Sequence, residues 1–96
     1  MLSPRSFQVV GSSAIVPLAA GNLGARWVQL STPSGNQNDV LIGGPEVTNT
    51  VGFPLPGGTG AYQFLPPTLE PFEFYDLSTV NVYVATGDVL NVLYGG

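Results

Sequence analysis

Val80-Asn81-Val82-Tyr83-Val84-Ala85-Thr86-Gly87-Asp88-Val89-Leu90-Asn91-Val92-Leu93-Tyr94 is the stretch that decides the fold class of this chain. Val80, Val82 and Val84 alternate with Asn81, Tyr83 and Ala85, and beyond Thr86-Gly87-Asp88 the residues Leu90, Val92 and Tyr94 alternate with Asn91 and Leu93. Successive side chains of a strand point to opposite faces, so a period of two sorts one set into a core and the other toward solvent. A helix would need apolar residues three and four apart. Two such runs around a glycine-bearing connector predict a β-hairpin with Val82 inward and Asn81 outward.

Working outward from this segment, the same grammar recurs. Phe72 and Phe74 flank Glu73, residues 26–30, 39–42 and 62–65 read as strands, and residues 7–10 and 14–18 as weaker ones. Each run is short, rich in Val, Phe, Tyr, Leu and Ile, and bounded by Gly, Pro, Asn, Ser or Thr. The 13 glycines and 9 prolines are spread along the whole length, so they interrupt every candidate helical window. The expectation is an all-β chain: a single small β-sandwich or jelly-roll-like barrel of about eight short strands. Residues 43–60, with Pro45, Pro54 and Pro56, read as a loop-rich middle. The 96 residues make one domain, 1–96, with residues 1–6 read as an N-terminal arm.

Hydrophobic residues make up 44% of the chain, enough for an ordered core. Charged residues make up only 8%, against roughly 25% in ordinary soluble domains. Charge normally keeps small proteins apart, so a surface this poor in it favours association. Arg5 and Arg26 are the only cations and the net charge is -4. Nucleic acid backbones are held by clustered cations, so a nucleic acid partner is excluded. No run approaches the roughly 18 to 20 apolar residues of a membrane-spanning helix, and residues 1–7 lack the pattern of a signal peptide. A membrane partner is not expected, and synthesis in the cytoplasm is.

The chain has no His and no Cys. A serine nucleophile then lacks its usual base, and the common transition-metal ligands are missing. Of the six carboxylates, Glu70, Glu73 and Asp76 lie close in sequence, but solvated strand positions explain them better than a glycosidase pair. Gly57-Gly58-Thr59-Gly60 has no Lys and no following helix, so it reads as a tight turn and not a phosphate cradle. Asn36-Gln37-Asn38-Asp39 offers oxygen ligands for calcium but lacks the Gly and distal Glu of an EF-hand loop. The expectation is no enzyme, no catalytic residue, no metal and no cofactor. The aromatic residues Phe53, Tyr62, Phe64, Phe72, Phe74, Tyr75 and Tyr83 remain for packing, for subunit contacts or for stacking on sugars. Phe53, Leu55, Tyr62 and Phe64 are the candidate assembly interface.

Residues 38–94 resemble small virion structural proteins of tailed phages. The resemblance is carried by Val40-Leu41-Ile42-Gly43-Gly44-Pro45-Glu46-Val47-Thr48, by Gly52-Phe53-Pro54-Leu55-Pro56-Gly57-Gly58, by Asp76-Leu77-Ser78 and by the two closing strands. The Pro-rich residues 65–71 depart from that pattern, and residues 1–30 lie outside it. The resemblance implies a β-sandwich on or in the particle, and a capsid decoration (cement) subunit first. Such a subunit would be located in the virion, and its partners would be copies of itself, as a homotrimer, and a major capsid or other virion protein. The alternative is a glycan-binding or host-adsorption accessory of the head or tail.

Overall fold

The computed structural model describes residues 4–19, 23–65 and 74–95. Among them lie ten strands: β1 (Pro4–Val10), β2 (Ile15–Pro17), β3 (Gly24–Ala25), β4 (Trp27–Ser31), β5 (Val40–Gly43), β6 (Phe53–Leu55), β7 (Tyr62–Leu65), β8 (Tyr75–Asp76), β9 (Asn81–Tyr83) and β10 (Val89–Gly95). The described helical content is one 3₁₀ turn, Leu77–Thr79, capped by the Asp76 carboxylate. The chain is all-β, as its glycine and proline spacing requires.

The pairings are nested. Pro4 lies opposite Gly95, Ile15 opposite Tyr83, Gly24 opposite Asp76, Gln29 opposite Gln63 and Val40 opposite Leu55. The described residues thus form one antiparallel ribbon, doubled back at residues 44–52. Rolling the ribbon sets β10 beside β4 and β5 beside β9. The result is two four-stranded sheets of order β1-β10-β4-β7 and β2-β9-β5-β6, with β3-β8 as a short bridge between them. That order is the jelly-roll topology, which builds two sheets from one rolled hairpin.

The ribbon crosses between sheets at corners where both of its strands turn together. At one corner Gly11 N–H donates to Asp88 O (2.9 Å), while Ser12 and Ser13 N–H both donate to Val84 O (3.1 and 3.0 Å). A Cβ on Gly11 would overlap the Ala85 carbonyl, so only glycine permits this approach. At the second corner Thr32 N–H donates to Thr59 O (3.0 Å) and Thr32 Oγ1 to Pro56 O (2.7 Å). Gly57-Gly58-Thr59 is a turn, closed by Thr59 N–H on Pro56 O at 3.2 Å.

The core lies between the sheets. Val28, Leu30, Val40, Ile42, Leu77, Val82, Val84, Leu90 and Val92 are its largest fully buried side chains. Burying each contributes about 1.5–3 kcal/mol relative to exposure. Val82, Val84, Leu90 and Val92 are the residues that the period-two alternation assigns inward, and Asn81 and Asn91 are half-buried on the other side.

Three expectations need correcting, and a fourth falls outside the described residues. β9 and β10 do not pair with each other; they lie in opposite sheets, and residues 84–88 form a corner and not a hairpin turn. Residues 4–6 of the expected N-terminal arm belong to β1, where Pro4, Arg5 and Ser6 pair with Gly95, Tyr94 and Leu93. The loop-rich middle contains β6, whose Pro54 is tolerated because β6 is an edge strand with no ladder bond to donate outward. Phe72 and Glu73 lie outside the described residues, and the strand near them starts at Tyr75.

Candidate functional site

The four residues proposed for an interface separate by burial. Leu55, at 2% exposure, belongs to the core, because its partner Val40 is an inward position of β5. It is unavailable to a second subunit and leaves the candidate set. Phe53 and Tyr62 come together: they pair with Ile42 and Leu30, the inward positions of opposite sheets, at the two edge strands β6 and β7. Their rings stack at 5.6 Å with 14° between planes and close the open flank of the sandwich. Phe53 nevertheless stays 53% exposed, and nearby Val51 is exposed too. Phe64 is half-buried against the core, at the irregularity where the β4–β7 register slips.

The outer face of the first sheet is uncharged across its middle. Ser6, Leu93, Gln29 and Gln63 form one cross-strand row, and Gln8, Asn91 and Ser31 the next. Gln8 Nε2 donates to Asn91 Oδ1 at 2.9 Å. A shallow depression of about 260 Å³ lies between these rows.

The second sheet presents a more structured surface. Ile15, Tyr83, Leu41 and Pro54 are aligned across its four strands on the outward side. Beside the two central members of this apolar row a groove of about 430 Å³ is lined by Asn38, Asp39, Leu41, Asn49, Thr50, Tyr83 and Ala85.

Both walls of the groove are held by their own hydrogen bonds. Asp88, 3% exposed, accepts from Gln37 N–H and Asn38 N–H (both 3.0 Å) and from Asn38 Nδ2 (3.3 Å). The Gln37 bond is the main reason its carboxyl lies below the usual aspartate range; burial opposes it and the Asn38 bonds reinforce it. On the other wall, Thr48 Oγ1 accepts from Thr50 N–H (3.2 Å) and Val51 N–H (3.0 Å), and Thr48 N–H donates to Val51 O (2.9 Å). Gly52, at φ +152°, then folds the chain down against Leu41.

The polar run 36–39, weighed as a calcium loop, is therefore a structural clamp with one open end. The described carboxylates divide the same way. Glu46 accepts from Gly44 N–H at 2.9 Å, and Asp76 from Ser78 N–H and Oγ at 3.0 and 2.6 Å. Both carboxyls lie below their ordinary values because of these bonds. Asp39 alone, among the described carboxylates, accepts no hydrogen bond from the described residues, and it faces the groove. Sequence reasoning missed this site because its residues come from three separated segments. The signals available were the polar run Asn36-Gln37-Asn38-Asp39 and the aromatic Tyr83, and nothing in the sequence placed the two together.

No family model, no curated protein and no solved structure matches the chain.

Proposed function

We propose that the chain is a non-catalytic building block that works by surface contacts within a larger assembly, most specifically as a decoration (cement) subunit of a tailed-phage capsid. The carrying observation is the Phe53–Tyr62 stack on the β6/β7 flank, where a large aromatic remains 53% exposed on a surface with few charges. Phe74, Val10 and Val51 add further apolar exposure of 56%, 70% and 50%. An interface of standard size buries roughly 800 Å² per partner. The subunit exposes 5458 Å², so one such contact covers a modest share of it. The jelly-roll topology is shared by viral capsid and lectin domains, and it fixes neither function. The choice of a phage particle, of the capsid as partner and of three copies rests on the resemblance of residues 38–94.

Negative-stain images of purified particles, labelled with an antibody to this chain, test the reading. Regular labelling of the head is expected. Particles that carry none of the chain, or label only at the tail fibres, would overturn the capsid assignment.

A further inference from the structure

We propose that the groove formed by Asp39, Asn49, Thr50 and Tyr83 on the outer face of the second sheet binds a neutral sugar. This goes beyond the assembly role and uses a different face from the Phe53–Tyr62 flank. Its size of about 430 Å³ falls within the range of roughly 300–1,000 Å³ typical of small-ligand sites.

The lining selects the ligand class. Leu41 and Tyr83 are directly paired neighbours on adjacent strands, and with Ala85 they make an apolar floor containing one aromatic ring. A sugar offers an apolar C–H face to such a floor and hydroxyls around its edge. Asp39 is an acceptor-only carboxylate that no described residue engages, suited to taking hydrogen bonds from two hydroxyls. The Asn49 amide adds donors and an acceptor, and Thr50 a hydroxyl. Asn38 Nδ2 is engaged by Asp88, which leaves its Oδ1 for a ligand.

Other classes fit less well. Phosphate or another anion would meet the Asp39 charge, and neither arginine lines the groove. A metal ion would find one carboxylate, and the described residues contain no group of three acidic ligands. An ammonium group would satisfy Asp39 and leave the apolar floor wet. The walls are already fixed by Asp88 and Thr48, so binding orders little chain, which favours even a weak ligand.

The test is an amide-resolved NMR titration of the full chain with maltotriose, mannotriose, triacetylchitotriose and a β-galactoside trisaccharide, each to about 10 mM, a range that reveals millimolar affinity. Sodium phosphate and calcium chloride are titrated separately. At least one sugar is expected to shift residues 38–41, 49–50, 83 and 85 saturably. Asp39→Asn, an isosteric change at an exposed site, is expected to weaken that binding roughly tenfold with the melting temperature unchanged. Asn49→Ala should weaken it as well. No shift with any of the four sugars, shifts confined to another face, binding unaffected by both variants, or a response to phosphate or calcium alone would each overturn the proposal. Subunit association is read separately by sedimentation, so either claim fails without the other.

Discussion

The Asn36 side chain pairs with the backbone of Val89 as a neighbouring strand would: its Nδ2 donates to Val89 O at 2.7 Å and its Oδ1 accepts from Val89 N–H at 3.0 Å. Asn36 lies in the corner after β4 and Val89 opens β10, so one side chain joins two corners of the rolled ribbon. Asp88, the residue before Val89, grips Gln37 and Asn38 in the same place. The five residues form a single clamp at one end of the sandwich.

Removing the Asn36 amide leaves a part-buried N–H and C=O of Val89 without partners. Leaving such groups unsatisfied costs about 1–3 kcal/mol each, tempered where water enters. Asn36→Ala is expected to lose about 2 kcal/mol in urea unfolding. Asn49→Ala, which removes no described hydrogen bond, should stay within about 0.5 kcal/mol of the parent. Equal effects would remove the clamp from the account.

Acid should weaken the fold in a defined window. Asp88, Asp76 and Glu46 all have folded-state pKa values lowered by hydrogen bonds to their ionised forms. A group whose pKa is lower in the folded state binds a proton more readily when unfolded. Its contribution is therefore complete above the unfolded value, about 3.9 for Asp and 4.3 for Glu, and is lost as pH falls through the folded value. Melting temperature should be flat near neutrality and fall below about pH 4. Asp88→Asn should be less stable at pH 7 and show a shallower acid decline. A decline equally steep in the variant would show that Asp88 does not contribute.

Much of this fold was legible, and the missing part has a physical reason. Period-two alternation reports which face a residue occupies, so Val82, Val84, Leu90 and Val92 are correctly assigned inward. Alternation says nothing about the partner strand. Val82 pairs with Val16 and Ile42, and Val92 with Phe7 and Leu30, contacts made across much of the chain. A local hairpin was the natural reading of 80–94 because residues 86–88 look like a turn. Gly11 and Val84 make that turn a crossing, and they are far apart in sequence. β6 was hidden by Pro54, whose cost vanishes only on an edge strand. Of the interface residues, Phe53 and Tyr62 meet as neighbours, while Leu55, read from its place in a connector, lies in an edge strand with its side chain turned inward. Asn38, Asp39 and Tyr83 stand out singly in the sequence, but three segments had to be placed before they formed one groove.

The crossing makes its own demand on sequence. Gly11→Ala would drive a methyl group into the Ala85 carbonyl, and backbone atoms on both strands of the corner would have to move. A loss of about 2–4 kcal/mol is expected, in the range of severe steric substitutions. Gly35→Ala meets no atom within 4 Å and should be neutral or slightly stabilising through the unfolded chain. Thermal melts of the two variants side by side check this. Similar melting temperatures would place the corner differently from the structure.

The assembly role is tested most directly by sedimentation velocity of the purified chain at several concentrations, in low and high salt, beside Phe53→Asp. The parent is expected to sediment as an oligomer whose stability changes little with salt, because few charges are available to an apolar contact. Phe53→Asp should sediment as a folded monomer, its melting lowered only by the lost ring stack, about 0.5–1.5 kcal/mol. A parent chain that remains strictly monomeric at high concentration and in both salts, and binds no capsid lattice, would contradict the account.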